Sequence, residues 1–233
     1  MVCTDLAGLP FVDTPPASIT VPIGGELLTG DLGMPEAPRG IVLFAHGSGS
    51  GRHSPRNQYV ARMLEQRNLA TLLIDLLTPR EEAIDERTAE YRFDIPMLGG
   101  RLVALVDWLR RRKDTASLPI GLFGASTGGG AALIAAADRP REIAAVVSRG
   151  GRPDLAGASL ARVIAPTLLI IGGLDQPVIQ MNRDAMKYMP GEVKLEIVPG
   201  ATHLFEQPGA LERVAETAGD WFVQYLRPAV ATA

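Results

Sequence analysis

The chain has 233 residues, of which 46% are hydrophobic and 21% are charged, and its formal net charge is −3 at neutral pH. These values predict one α/β domain over residues 1–233, and the weak negative charge argues against a nucleic-acid partner. Because we find no secretory leader and no membrane-length apolar run, we expect a cytoplasmic protein without a membrane partner, whose one cysteine, Cys3, forms no internal disulfide.

The first part of the chain is predicted to lie at the edge of a sheet. Residues 1–38 are expected to form an N-terminal extension and an edge hairpin, because residues 19–32 alternate in polarity around a glycine pair. A strand over residues 40–45 then leads into a loop, residues 46–55, that contains three glycines.

From residue 40 onward, strands alternate with helices. Helices are predicted over residues 55–67 and 95–112, with a strand over residues 69–77 between them. The cationic run at residues 110–113 is interpreted as a helix end that complements the helix dipole. This alternation predicts a mostly parallel sheet of about seven to eight strands that carries helices on both faces.

The segment at residues 118–137 places one serine between an apolar strand and a helix of small residues. A strand is predicted over residues 120–123 and a helix over residues 131–137, and the intervening GASTG has the spacing of a nucleophile elbow. We therefore predict that Ser126 is a catalytic nucleophile. The alternative is a glycine-rich strand-to-helix turn with no chemistry.

A serine nucleophile needs a general base, and histidine is the side chain suited to that task. On sheets of the α/β-hydrolase fold, where nucleophile elbows of this kind occur, the catalytic groups follow the chain order serine, acid, histidine. Of His46, His53 and His203, only His203 follows Ser126. His203 comes after a predicted strand, residues 194–198, and a turn, so it is the predicted base.

The base needs a carboxylate that fixes its tautomer, and this acid should lie between positions 126 and 203. Asp175 is predicted, because it follows the apolar run of residues 166–171 and a glycine pair at a strand end. Asp154, which follows the predicted strand at residues 143–147, remains a competing candidate.

Acyl transfer also requires backbone N–H groups that stabilise the oxyanion. One donor is expected from Thr127, and the second from Ser48 in the glycine-containing loop after the strand at residues 40–45. A dinucleotide-binding loop is the rival interpretation of these glycines, but their spacing, G-x-G-x-G, differs from G-x-G-x-x-G.

Charged side chains near the predicted strand ends are candidates for substrate contact. Residues 78–94 form a strongly charged segment that is either a solvated helix with paired charges or a lid over the site. An arginine could hold a substrate carboxylate through its guanidinium fork, although each is also a candidate for a structural ion pair. The candidate substrate-binding arginines are Arg52, Arg80, Arg149 and Arg152.

The segments GASTGGG, GGLDQP, GATHLF and HGSGSGRHSPRN resemble the α/β-hydrolase superfamily, and in particular its dienelactone hydrolase-like branch, over residues 38–225. This resemblance implies a serine hydrolase that acts on carboxylic esters, lactones or related acyl compounds without a metal or organic cofactor. The chain departs from dienelactone hydrolases at three positions. Ser126 replaces their cysteine nucleophile, Gly47 replaces an acidic residue, and Gln207 replaces an arginine that follows the catalytic histidine.

The sequence thus predicts a hydrolase that cleaves small esters or lactones through an acyl-enzyme on Ser126, with His203 as base and Asp175 as orienting acid. The expected partner is the small-molecule substrate, and a homodimer is left open. The alternative is a non-catalytic receptor or regulatory protein that binds a small ligand on the same fold.

Overall fold

The structure is a computed structural model that describes residues 15–227. Cys3 and most of the predicted N-terminal extension lie outside the described residues. Within residues 15–227, none of the helices combines the length and apolar character needed to cross a membrane.

Strands and helices alternate along most of the described chain. The strands are β1 (Ala17–Ile23), β2 (Glu26–Gly33), β3 (Ile41–Ala45), β4 (Ala70–Ile74), β5 (Ile120–Ala125), β6 (Ile143–Arg149), β7 (Thr167–Gly172) and β8 (Val193–Val198). The α-helices are α1 (Pro55–Glu65), α2 (Pro79–Thr88), α3 (Ile95–Arg111), α4 (Thr127–Asp138), α5 (Gln176–Met186) and α6 (Ala210–Tyr225). Short 3-10 segments occur at Tyr91–Phe93 and Pro153–Arg162.

The described strands form one sheet of eight in the order β1-β2-β4-β3-β5-β6-β7-β8. Strands β3 to β8 are parallel to one another, whereas β2 is antiparallel to both β1 and β4. The predicted mostly parallel sheet and its antiparallel edge hairpin are confirmed. Since the parallel strands point the same way, the loops that follow β3, β5, β7 and β8 meet at one edge.

The central strands are buried along their whole length because helices cover both faces of the sheet. Leu102 of α3 and Ala132 of α4 belong to the apolar cluster on one face. Val60 of α1 and Phe222 of α6 pack on the opposite face, in the same cluster as Phe123. The turn at Ser126 therefore rests on a rigid, closely packed platform.

Several element ends differ from the prediction for local reasons. Helix α1 ends at Glu65, two residues before the predicted end, because the chain reverses at Asn68, whose φ is 58°. Helix α4 begins at Thr127, directly after the nucleophile turn, and not at residue 131. Strand β6 continues past residue 147 to Arg149, and this extension brings Arg149 to the active edge of the sheet.

The charged segment at residues 78–94 is largely helical. Helix α2 begins with a capping box, in which Thr78 and Glu81 satisfy each other's backbone amides. Glu81 also binds the Arg101 guanidinium, and this contact lowers the pKa of the Glu81 carboxyl. Burial alone would raise the pKa of Asp85, but hydrogen bonds from Arg92 lower it overall. The prediction of a helix with paired charges thus describes this segment well.

Candidate active site

Ser126 occupies a sharp turn between β5 and α4. Its backbone has φ 51° and ψ −122°, a conformation that L-residues rarely adopt and that only a well-supported turn maintains. The Ser126 N–H donates to the Arg149 carbonyl at 3.1 Å, and the Ser126 carbonyl accepts from the amides of Gly129 and Arg152. These three bonds hold the strained residue in place, as the elbow geometry requires.

Two glycines make this turn sterically feasible. A Cβ atom on Gly124 would lie 2.6 Å from the Gly128 carbonyl oxygen, and one on Gly128 would lie 2.2 Å from the Ala45 carbonyl oxygen. Both neighbours are backbone atoms that cannot move aside, so the start of α4 contacts β3 and β5 only because the side chains are absent.

The structure brings Ser126, His203 and Asp175 together from three loops at the same edge. The Nε2 atom of His203 lies 3.4 Å from Ser126 Oγ, and its Nδ1 atom lies 2.6 Å from Asp175 Oδ2. The Asp175 side chain is 14% exposed and that of His203 is 38% exposed. The carboxylate is thus shielded while the imidazole remains open to a substrate.

The loop that carries His203 is held by contacts that the sequence did not reveal. The Thr202 N–H donates to Gln207 Oε1 at 3.0 Å. The Phe205 backbone has a positive φ of 56°, and its side chain is buried. The loop also touches the turn before Asp175, where a Cβ on Gly172 would lie 2.4 Å from the Thr202 carbonyl oxygen. Gln207, which stands where dienelactone hydrolases have an arginine, therefore supports the His203 loop.

Asp154, the competing acid, has a different partner. Both carboxylate oxygens bind the Arg152 guanidinium, at 2.8 and 2.7 Å, within the turn that begins the Pro153–Arg162 segment. This contact also accounts for Arg152, whose pKa is raised by its hydrogen bond to Asp154. The geometry therefore places Asp175, and not Asp154, against His203.

The predicted oxyanion donors are linked to each other. The Ser48 N–H donates to Thr127 Oγ1 at 2.9 Å, so the Thr127 hydroxyl bridges the β3 loop and the first turn of α4. The Thr127 amide is the first of its helix and has no acceptor within the helix. The predicted donors, the amides of Ser48 and Thr127, thus lie close together, although the Ser48 N–H already donates to the Thr127 hydroxyl.

His46 fixes the loop that carries Ser48, a role that sequence reasoning missed. Its Nε2 accepts from the Leu76 N–H at 2.9 Å, so Nδ1 carries the proton and donates to the Gly47 carbonyl at 3.0 Å. Burial lowers the pKa of His46, and the ring is accordingly neutral. Because the Gly47 carbonyl is held, the Gly47–Ser48 peptide keeps one orientation.

A cavity of about 270 Å³ adjoins the predicted oxyanion donors. Its lining combines the loop after β3 with Thr127 and with residues of the charged segment. From that segment come Glu82, Asp85, Glu86 and Arg92. Helix α2 is therefore both a helix with paired charges and one wall of the cavity. The interpretation of residues 78–94 as a charge-paired helix and their interpretation as a lid are thus compatible.

The four candidate arginines have different surroundings. Arg52 binds the Asp75 carboxylate and lies 3.4 Å from Asp31, so its guanidinium is held within the fold and the substrate-binding prediction for Arg52 is not supported. Arg152 is paired with Asp154, as described above. Arg80 is exposed near the start of α2 and does not line the cavity. Arg149 alone of the four is buried, at 8% exposure.

Within residues 15–227, no three histidine, cysteine, aspartate or glutamate side chains come close enough to hold a metal ion together.

Comparison with known proteins agrees with this architecture. Residues 38–224 match the family described as the alpha/beta hydrolase domain. The crystal structure of a dienelactone hydrolase from Anabaena variabilis superposes with a TM-score of 0.90 and 58% sequence identity, covering 91% of this chain and 98% of that one. Est1E from Butyrivibrio proteoclasticus, at 17% identity and a TM-score of 0.74, shares the fold and covers 89% of this chain and 98% of its own.

Two Mycobacterium tuberculosis proteins, provisionally named phosphoribosyl transferases, are 58% identical to this chain over 208 residues. The match covers 89% of this chain but 46% of each relative, so the chain spans about half of their length. The family match over residues 38–224 and the similarity to the Anabaena enzyme agree with the strand order of the sheet. The chain therefore belongs to the α/β-hydrolase domain family, as a dienelactone hydrolase-like α/β-hydrolase.

Proposed function

We propose that the chain is a serine hydrolase that cleaves carboxylic esters or lactones of small substrates. The observation that carries this proposal is the continuous contact from Ser126 Oγ through the His203 ring to Asp175 Oδ2. The strained turn at Ser126 supports it, because such strain persists where the surrounding structure maintains it for a purpose.

The first half-reaction forms an acyl-enzyme. Ser126 Oγ attacks the substrate carbonyl carbon while His203 Nε2 accepts the hydroxyl proton. Asp175 keeps the Nδ1–H tautomer and stabilises the imidazolium that forms. The 3.4 Å separation of Oγ and Nε2 is longer than an ideal hydrogen bond, and such contacts tighten when substrate binds.

The developing oxyanion requires donors beside Ser126. The Thr127 amide and the loop amide of Ser48 are the groups that we assign to this role, as the sequence predicts. The Ser48 N–H already points at the side chain of Thr127, so this amide is oriented toward the nucleophile turn before any substrate arrives. To bind the oxyanion, the Ser48 N–H must turn from Thr127 Oγ1, whereas the Thr127 amide has no helix acceptor to leave.

The second half-reaction restores the enzyme. The protonated His203 gives its proton to the leaving alkoxide, and the alcohol departs. Water then attacks the acyl carbon while His203 accepts its proton, and His203 returns that proton to Ser126 Oγ as the acid product is released. For a lactone, the leaving hydroxyl stays attached to the acyl part, and the product is a single hydroxy acid.

The adjoining cavity supports a small substrate. Its volume of about 270 Å³ lies just below the usual range for small-molecule sites, and its wall includes the acidic helix α2. The name of the M. tuberculosis relatives, phosphoribosyl transferase, refers to proteins about twice this length. A serine, an imidazole and a carboxylate in line serve acyl transfer, and we therefore favour ester hydrolysis for this chain.

The test combines a short-chain 4-nitrophenyl ester assay with covalent labelling by a fluorophosphonate, which reacts with activated serines. Wild type should hydrolyse the ester and take up one label, and Ser126→Ala should lose both, with turnover falling at least about a thousandfold. Ser18→Ala, which removes an exposed hydroxyl on edge strand β1, is the matched control. A folded wild-type protein that is silent in both assays would favour the receptor alternative.

A further inference from the structure

Asn182 is a fully buried polar side chain in the middle of α5. Its Nδ2 donates to the Gly151 carbonyl at 2.9 Å and to the Val178 carbonyl at 2.8 Å. Since both neighbours are acceptors, the nitrogen of the amide and not its oxygen must face them. The Oδ1 atom is buried as well and finds no donor among residues 15–227. An unpaired buried oxygen is unfavourable, so Asn182 is a poor choice for stability alone.

The carbonyl that Asn182 holds belongs to a peptide group that supports the nucleophile. The Gly151 carbonyl and the Arg152 N–H are the two ends of this one planar group. Its N–H donates to the Ser126 carbonyl at 3.1 Å. Asn182 therefore fixes one end of the peptide, and the other end supports Ser126, whose φ is 51°. Strained backbone of this kind persists only where its surroundings hold it.

Residues 149–152, which we call the bridge segment, contact Ser126 a second time and also contact the base. The Arg149 carbonyl accepts from the Ser126 N–H at 3.1 Å. The next residue, Gly150, has a positive φ of 52°. A Cβ atom on Gly150 would lie 3.4 Å from both Cε1 and Nδ1 of His203, so the backbone of this glycine comes close to the imidazole. The bridge segment thus contacts the proposed nucleophile and the proposed base.

Close packing leaves the bridge segment little room to move independently of Ser126. A Cβ on Gly151 would lie 1.8 Å from Ser148 Oγ, and one on Gly129 would lie 3.0 Å from the Gly151 Cα. Gly129 lies in the first turn of α4, and its N–H donates to the Ser126 carbonyl at 2.9 Å. Because the interior is close-packed, a shift of Gly151 would be transmitted to the start of α4 and to the turn at Ser126.

Asn182 also belongs to the helix that carries the proposed acid. Asp175 is the N-cap residue of α5, but its side chain makes no capping bond and instead lies 2.6 Å from His203 Nδ1. Asn182 follows about two turns further along the same helix. Its bond to the Gly151 carbonyl therefore ties the helix that begins at the acid to the segment that supports Ser126.

We propose that Asn182 is a positioning residue, which holds the bridge segment so that Ser126 Oγ stays within reach of His203 Nε2. This inference rests on the proposed function and adds to it a residue that acts through the backbone and not on the reacting atoms. The separation of Oγ and Nε2, 3.4 Å, is already at the long end of the hydrogen-bonding range, so a small shift of the turn would break the contact. A misplacement of about 1 Å can lower a rate about a hundredfold.

The first test compares two buried substitutions in α5. Asn182→Leu keeps the branched shape but removes the donor, so kcat for a 4-nitrophenyl ester should fall about tenfold or more, while KM changes less than about twofold. The rate of labelling by a fluorophosphonate should fall by a similar factor, because labelling also depends on Ser126 Oγ and its base. Ile179→Val, which removes a buried methyl group from the same helix, is the matched control. It should lower the Tm but keep the wild-type kcat and KM.

The second test measures the anchor without any catalysis. Hydrogen–deuterium exchange of the full chain is followed by mass spectrometry on a peptide that covers residues 149–155 and so includes the Arg152 N–H. Exchange in this peptide should be about tenfold or more faster in Asn182→Leu than in wild type, and unchanged in Ile179→Val. A residue that served only the packing of α5 would instead speed exchange in α5 and leave residues 149–155 as they are.

Asn182→Leu should fold, because its side chain has a similar shape and removes the unpaired Oδ1. Should it unfold, Asn182→Ala removes the donor without adding volume. Wild-type kcat and labelling in a folded Asn182 variant, equal losses in the Ile179→Val control, or unchanged exchange at residues 149–155 would overturn the positioning role. If exchange responds to Asn182→Leu but wild type neither hydrolyses esters nor takes up the label, the anchor stands and the proposed hydrolase activity fails.

Discussion

The Ser48 amide and the Thr127 hydroxyl, 79 residues apart in the chain, are joined by a hydrogen bond of 2.9 Å. Thr127 follows the proposed nucleophile directly, and Ser48 lies in the loop after β3. The bond therefore ties together the two segments that are expected to stabilise the oxyanion. Through this bond the buried Thr127 hydroxyl holds the Ser48 loop in place, a structural role that the Thr127 amide does not share.

Because of this bond, we expect the Thr127 side chain, as well as its amide, to affect kcat. Thr127→Val keeps the shape but removes the acceptor, so the Ser48 loop loses its anchor and kcat should fall about tenfold. Thr127→Ser retains the hydroxyl and should stay near wild type. Steady-state kinetics on a 4-nitrophenyl ester measures both. A higher kcat in Thr127→Val would instead show that the hydroxyl blocks the Ser48 amide.

The second prediction separates the two candidate acids. Asp175→Asn leaves the shape of the site but no longer stabilises the imidazolium of His203, so kcat should fall by about three to four powers of ten. Asp154→Asn weakens an exposed ion pair with Arg152 and should change kcat less than about twofold. The two kcat values, measured at the same pH, decide the assignment, and equal losses would contradict it.

The third prediction concerns the pH dependence of stability. Burial lowers the pKa of His46 from its ordinary value of 6.5, although the Gly47 carbonyl and the charges of Asp75 and Glu82 act in the opposite direction. The unfolded chain therefore takes up a proton near pH 6.5 that the folded chain resists until lower pH. The contribution of His46 to stability is complete above about pH 6.5 and decreases as the pH falls below it.

This contribution is measured by urea unfolding at several values between about pH 5 and about pH 8. The free energy of unfolding should fall on acidification by at most about 1.4 kcal/mol per pH unit from His46, and less steeply in His46→Gln. Glutamine can still accept from the Leu76 N–H. His53→Gln, at an exposed position, should keep the wild-type slope, and identical slopes in wild type and His46→Gln would contradict the prediction.

The fourth prediction compares two helical glycines. A Cβ on Gly128 would lie 2.2 Å from the Ala45 carbonyl oxygen, whereas one on Gly100 of α3 would meet no atom within 4 Å. Gly128→Ala should therefore destabilise the fold by about 3 kcal/mol and abolish turnover. Gly100→Ala should stabilise it by about 0.5–1 kcal/mol, because alanine is the better helix former. Chemical denaturation of both variants checks these signs.

The order of elements could be predicted from the sequence, and is confirmed, because it depends on local patterns. The candidate site residues were chosen from patterns of the same kind. Apolar runs marked the central strands, and Ser126 and His203 followed from the elbow spacing and from chain order. Ion pairs between side chains that are far apart in the sequence could not be predicted from such local patterns. Arg52 and Arg149 look alike in the sequence, yet Arg52 binds Asp31 and Asp75, whereas Arg149 forms no ion pair with any residue of the described range 15–227. The position at a strand end favoured Asp175 without excluding Asp154, and the structure shows which of the two carboxylates contacts His203.

The fifth prediction tests the support of the His203 loop. The Gln207 amide oxygen accepts from the Thr202 N–H at 3.0 Å, and Thr202 precedes His203. Gln207→Ala removes this acceptor, so His203 Nε2 should lie within hydrogen-bonding distance of Ser126 Oγ for a smaller fraction of the time. As a result, kcat should fall between about two- and tenfold with little change in KM. Gln207→Glu retains an acceptor and should recover most of the loss, a rescue that a purely steric role would not give. Gln224→Ala, on the exposed side of α6, is the matched control, and a fall of the same size in it would contradict the assignment.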